Sequence, residues 1–236
     1  MEHAAERYRR LGRTAWHFAR GKLRGDPVYR AVWEGPWLKR GGTVIDLGCG
    51  QGLMLALIAE GRAMAARRDG SLDRISGLTG LAHDEVGRLV GVELRPKVAE
   101  IARRALTGQA EVIAADARTE ALPAARTILV FDVLHMMPAE DQEALVRGLV
   151  KALEPGGVLL VRDVDAAAGW RFWAVNFANR MKAFFFGYSS KGFCFRALDA
   201  WRGLLESYGL SVEVWPMGRG TPYGNVLFVA SKSKMG

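Results

Sequence analysis

The apolar positions along this chain change period in a regular way. Tyr8, Leu11, Ala15, Phe18 and Ala19 recur at helical spacing with arginines between them, which predicts an amphipathic helix over residues 4–23. Gly25-Asp26-Pro27 ends it, and Asp26 with Pro27 offers an N-cap and first turn to a second helix, Val28 to Trp37. Short apolar or β-branched runs follow at Val44-Ile45, Leu89–Glu93, Ala110–Ala117, Thr127–Pro138 and Val158–Asp163, each read as a strand and its exit. Helical patterns separate them, at Leu53–Ala59, at Lys97–Leu106 behind Pro96, and at Ala139–Leu153. A helix from Leu198 to Tyr208 stops at Gly209. Two last strands, Leu210–Pro216 and Asn225–Ala230, form a hairpin through Met217–Gly224. Strands alternating with helices imply an α/β fold with a doubly wound sheet of seven strands, six parallel and one antiparallel.

Three stretches depart from that rhythm. Residues 1–40 are helical and hold Trp16, Tyr29, Trp33 and Trp37. They read as a lid on the main domain, 41–236, or as a surface for an apolar ligand or lipid. Residues 61–88 are charged and turn-rich, and read as an insertion, a loop with a short helix. Residues 164–196 carry Trp170, Trp173 and Phe177 among many more aromatics, mixed with Arg171, Arg180, Lys182 and Lys191. That density suits the wall of an apolar substrate pocket; the alternative is a helix packed on the sheet.

The chemistry concentrates where strands end. After Val44-Ile45 the chain reads Asp46-Leu47-Gly48-Cys49-Gly50-Gln51-Gly52 and enters a helix. Glycines there allow positive φ and close backbone approach, and a helix start offers N–H groups. The spacing is D-x-G-x-G-x-G, neither the G-x-G-x-x-G of dinucleotide enzymes nor a phosphate loop with G-K-[ST]. Glu93 closes the second strand and can accept both hydroxyls of a ribose, or stand as a surface glutamate. Asp116 follows the third strand, where an acid is often a helix cap. Asp132, Leu134 and His135 close the fourth strand, and Arg162 and Asp163 the fifth. His135 suits a general base, since an imidazole titrates near neutrality, and equally a strand-end histidine bonded to backbone.

As a set these motifs resemble class I S-adenosylmethionine-dependent methyltransferases. The resemblance implies a Rossmann-like fold and S-adenosylmethionine as cofactor. It places Asp46, Gly48, Cys49, Gly50 and Gly52 around the cofactor's methionine part, Glu93 and Leu94 at its ribose, and Asp116 and Ala117 at its adenine, with Asp132 and Leu134 beside it. It also implies that Leu153-Glu154-Pro155-Gly156-Gly157 is the turn into the fifth strand. The N-P-P-[YFW] tetrad of enzymes that methylate exocyclic base nitrogens is missing. More narrowly, Gly91-Val92-Glu93-Leu94 behind a long insert, Asp132-Val133-Leu134-His135 and the run from Gly220 to Ala230 are similar to small methyltransferases of aryl polyene pigment pathways. A phenolic ring or acyl precursor is then the implied acceptor, with His135 as base and with Arg162, Trp170, Trp173, Phe177, Tyr223 and Asn225 around the substrate.

Composition narrows the rest. The chain has 236 residues with formal charge +8, and residues 1–40 hold ten Lys/Arg against four Asp/Glu. A basic end admits nucleic acid or an anionic membrane face as well as a solvated helix. No run approaches the ~20 apolar residues of a membrane span, and arginines interrupt any apolar signal core. Cys49 and Cys194 make no disulfide framework, and no metal-ligand spacing occurs. The expected setting is cytoplasmic, with possible peripheral contact at the inner membrane face. The competing readings are an RNA or protein methyltransferase, and a non-catalytic binding protein of the same fold.

Overall fold

The structure is a computed structural model, and it describes residues 1–39, 41–66, 87–167, 169, 194–218 and 224–234. Trp170, Trp173, Phe177 and Tyr223, most of the 61–88 insert and nearly all of the aromatic cap lie outside the described residues. Seven strands form one sheet: β1 (Val44–Leu47), β2 (Leu89–Glu93), β3 (Glu111–Ala114), β4 (Ala125–Phe131), β5 (Leu153–Val164), β6 (Leu210–Pro216) and β7 (Asn225–Lys232). Their order is β3-β2-β1-β4-β5-β7-β6, with β7 antiparallel to both neighbours and the other six parallel. This is the Rossmann-like doubly wound sheet that the alternation of elements predicts. Its helices are α1 (Glu2–Glu6), α2 (Arg13–Gly25), α3 (Pro27–Glu34), α4 (Leu53–Ala66), α5 (Pro96–Leu106), α6 (Ala139–Ala152) and α7 (Leu198–Ser207).

The chain divides into two compact units, Met1–Ile128 and Leu129–Gly236. In the first, β1 pairs in parallel with β2 and β2 with β3, in the registers Val44↔Leu89 and Val90↔Glu111. All four residues of β1 are buried, including Asp46, as befits an inner strand of a parallel sheet. Helix α4 is buried along Leu53–Ala59, and α1 packs on it through Ala4 and Ala5. The Arg7 guanidinium pairs with Glu60 at 3.0 Å, both side chains largely shielded. Asp26 caps α3, its Oδ1 accepting from Val28 N at 3.2 Å. In the second unit β7 pairs with β5 and β6, and the core is Val158–Val161, Phe228, Trp201, Leu205 and the inner face of α6. Lys232 Nζ donates to the carbonyls of Val150 and Leu153, capping the end of α6.

Three expectations change. The first long helix is two, α1 and α2, separated by a 3-10 turn at Arg9–Leu11 and by Gly12 at φ 107°, so Tyr8 turns into the core. The fourth strand stops at Phe131; Asp132 takes a left-handed backbone at φ 59°, and Leu134–Met136 is a 3-10 turn. A strand cannot continue through that dihedral. Conversely, β5 begins at Leu153, so the Pro-Gly-Gly segment lies within it, with Gly156 at φ 75°.

Candidate functional site

In the first unit, the glycine turn between β1 and α4 is held from several sides. Gly48 and Cys49 N–H both donate to Val92 O, at 2.7 and 3.0 Å. Gly50 N–H donates to Glu93 Oε2 at 2.9 Å, and Gly52 N–H to Cys49 O at 2.8 Å. The N–H groups of Gly48, Cys49, Gly50 and Gly52 are thus spent on the turn's shape. Gly50, at φ 57°, would place an added Cβ in open space. Gly52, at φ 76°, would place one 3.1 Å from Ala102 Cβ and Leu106 Cδ1, so a side chain there would be strained in its backbone and tight against α5.

Two buried carboxylates flank this turn. Glu93 is fixed by Gly50 N–H on one oxygen and by Arg95 N and Nε on the other, at 3.0 and 2.7 Å. Asp46 is 5% exposed, and no donor meets its carboxylate among the described residues. Burial, and then the charge of Glu93, push its pKa up to about 7. A buried acid without a cation has the chemistry to receive a positive ligand. Cys49 is buried, and burial followed by the charges of Asp46 and Glu93 raises its thiol pKa, so it packs as a small neutral group. Leu94 is exposed at the exit of β2. Asp116 meets Arg118, which hydrogen-bonds its carboxylate through Nε at 3.1 Å and through its backbone N at 3.0 Å. That side-chain bond holds the Asp116 pKa below its ordinary value. Ala117 follows, half-buried, in the same turn.

The second unit gathers a different set. His135 Nδ1 lies 2.7 Å from Asp163 Oδ1, and both side chains are almost wholly buried. Asp163 Oδ1 also accepts Val164 N–H at 2.8 Å, while its Oδ2 is buried without a hydrogen-bond partner among the described residues. Burial opposes the imidazolium, but the bond to Asp163 and the charges of Asp163 and Asp132 outweigh it, so the His135 pKa stands above its ordinary value. Phe195 stacks on the imidazole, centroids 4.9 Å apart, and Cys194 N–H donates to His135 O at 3.0 Å. Arg162 is buried and grips Asp132 with both Nε, at 3.0 Å, and a terminal nitrogen. It therefore holds Asp132 in its left-handed conformation. Leu134 is buried, and its carbonyl accepts from Gln142 Nε2 at 3.1 Å. Asn225 opens β7 directly opposite Val164, one residue from Asp163.

The sequence marks His135, Asp163, Asp132 and Arg162 as strand-end groups but not how they pair. It gives no signal for Gln142, which is fully buried and donates to Leu134, Met137 and Cys194 carbonyls while accepting from Arg196. Phe195 and Arg95 are also beyond it, because stacking and ion pairing depend on which loops meet. Among the described residues no His/Cys/Asp/Glu group is arranged to hold a metal ion, and no helix is long and apolar enough to cross a membrane.

Comparison with known proteins agrees with this geometry. A family model described as a methyltransferase domain matches residues 15–213. The chain is 34% identical over 120 residues to a trans-aconitate 2-methyltransferase of Azoarcus sp. (strain BH72), a match over 51% of this chain and 38% of that protein. It thus spans well under half the length of that relative. An O-methyltransferase family protein from Burkholderia thailandensis has the same fold, with a TM-score of 0.66 and 20% identity over 97% of this chain and 63% of that one. So does an O-methyltransferase from neocarzinostatin biosynthesis, solved with S-adenosyl-L-homocysteine and 1,4-dihydroxy-2-naphthoic acid, with a TM-score of 0.57 and 22% identity over 92% and 56% of the two chains. The residues around the turn fit S-adenosylmethionine: Asp46 lacks a cation among the described residues, and Glu93 stands fixed at the next strand exit. The chain belongs to the methyltransferase domain family.

Proposed function

We propose that the chain methylates a hydroxyl of an apolar, aromatic small molecule. The observation that supports this reading is the buried His135–Asp163 pair. An ionised carboxylate can only accept, so Nδ1 carries the proton and the neutral imidazole turns its lone pair to Nε2. That is the arrangement of a general base oriented by an acid. When bound, the cofactor supplies an electrophilic methyl on a sulfonium, so the protein has only the acceptor to activate. His135 takes the acceptor's hydroxyl proton on Nε2, and Asp163 stabilises the resulting imidazolium. Phe195 and the buried surroundings keep water from the base, and the acceptor's orientation supplies the remaining rate enhancement. Arg162 fixes Asp132 rather than meeting the acceptor, because its guanidinium is already engaged. Asp46 and Glu93 hold the cofactor's ammonium and ribose, and Asp116 and Ala117 stand toward its adenine. The relative from neocarzinostatin biosynthesis, with its dihydroxynaphthoic acid, and the resemblance to aryl polyene methyltransferases both favour a hydroxylated aromatic acceptor.

The basic N-terminus supports nucleic acid less well than its composition suggests. Arg7, Arg9, Arg20, Lys22, Arg24 and Arg30 each meet a carboxylate within the same segment or on α4. Peripheral membrane contact through α2, where Phe18 is exposed, is a secondary proposal. The test is transfer of labelled methyl from S-adenosylmethionine to a panel of hydroxylated aromatic acids, bulk RNA and a peptide mixture. Label on aromatic oxygen is the expected result; label on RNA or peptide alone would contradict the reading.

A further inference from the structure

The N-terminal segment reaches the glycine turn itself. Tyr8 is fully buried, and its hydroxyl donates to Gln51 O at 2.8 Å. Gln51 lies between Gly50 and Gly52, at the apex of the turn, where both neighbours have positive φ. Gly48, Cys49 and Gly50 are tied to β2, but the described residues offer Gln51 no such tie. Its side-chain Oε1 is buried without a partner, so the Tyr8 hydroxyl is the side-chain bond that holds this residue among the described residues. Burial, and then the neighbouring Tyr29 and Cys49, keep the phenol protonated and a donor. Asp46 lies within electrostatic reach of the same ring. The segment is also clamped to α4 by Arg7 and Glu60, but that ion pair does not touch the turn.

We propose that Tyr8 is a positioning residue of the cofactor site: its hydroxyl fixes the apex of the glycine turn, so that seating of residues 2–11 and binding of S-adenosylmethionine are coupled. The inference rests on the cofactor assignment and goes beyond it. A flexible apex must be ordered before the cofactor can rest on it, and that ordering weakens binding. Residues 1–12 are then part of the binding site rather than a cover over it.

Two variants test this. Tyr8→Phe removes only the hydroxyl, and is expected to raise the Kd for S-adenosylmethionine about tenfold, the scale of one buried hydrogen bond. Acceptor KM and kcat at saturating cofactor should not change. Asp26→Ala removes the cap of α3, outside this segment, and should lower the melting temperature while leaving the cofactor Kd within about twofold. A Tyr8→Phe protein that binds the cofactor as the wild type does overturns the proposal. So does an Asp26→Ala protein that loses affinity to the same degree, since the effect would then be general loosening. If Tyr8→Phe does not fold, amide exchange of the wild-type protein decides: the cofactor must slow exchange in residues 2–11 as well as in 48–55, and exchange in 2–11 that ignores the cofactor overturns it. Wild-type protein that binds no S-adenosylmethionine would refute the cofactor assignment instead, a distinguishable result.

Discussion

At the scale of single residues, two buried acids with opposite circumstances define the molecule. Asp163 has found a partner in His135; Asp46 has not found one among the described residues. For Asp46 the folded pKa of about 7 lies above the ordinary carboxylate value. The folded protein therefore holds that proton more tightly than the unfolded chain, and unliganded stability falls as pH rises from the ordinary carboxylate range to about 7. Asp46→Asn should flatten that slope in thermal melts across pH 4 to 8. A cationic ligand favours the ionised acid, so cofactor affinity should rise with pH up to about 7 and then level. Calorimetry at pH 6 in buffers of different ionisation enthalpy should register proton release on binding. For His135 the shift has the same sign: its proton is also held above the ordinary value, and there the proton blocks the base. Turnover should rise with pH through a midpoint above the usual imidazole range. Asp163→Asn removes the main cause of the upward shift, so it should lower that midpoint and cut turnover by about 10²- to 10⁴-fold.

At the scale of elements, the account depends on short irregular segments rather than on the strands that lead to them. Asp132 and the 3-10 turn Leu134–Met136 carry the dyad away from the strand axis, and Gln142 of α6 ties the Leu134 and Met137 carbonyls of that turn and its C-cap to the Cys194 carbonyl. Gln142→Ala would strand those carbonyls in the interior. It is expected to destabilise the protein by about 2 to 4 kcal/mol and to lower turnover more than cofactor affinity, as denaturant titration and steady-state kinetics would show. Asp26→Ala, by contrast, removes only the cap of α3 and should cost about 1 kcal/mol with unchanged kinetics. These segments are also where the sequence was hardest to read. The strands and helices follow from apolar period, and Asp26 with Pro27 announces its cap. Nothing local announces that Gly12 splits the first helix, that Asp132 turns left-handed, or that Gln142 is a hub. Each depends on a contact made by residues distant in sequence.

At the scale of the whole molecule, the sheet order and the split into two units assign the work. The first unit carries the glycine turn with Asp46, Glu93 and Asp116; the second carries the dyad with Asp132 and Arg162. The motif set and the strand alternation were sufficient to place these groups at strand exits, because D-x-G-x-G-x-G and the acids there are local signals, but not to read the split into two units. The pairing of His135 with Asp163 was not legible either, since a residue at one strand's end says nothing about which neighbour it meets. Charge is also distributed differently from what composition suggests. Six of the ten basic residues in 1–40 are paired within that segment or with α4, so turnover on a neutral aromatic acceptor should depend little on salt. The central claim is that the His135–Asp163 pair deprotonates an aromatic hydroxyl. It is tested most directly by comparing wild type and His135→Asn on two acceptors of one shape, an ordinary phenol and an electron-poor analogue already ionised at the assay pH. The account predicts a loss of about 10²-fold or more on the ordinary phenol and a much smaller loss on the ionised one. Equal losses on both would show that His135 supports the structure without acting as a base, and would contradict the account.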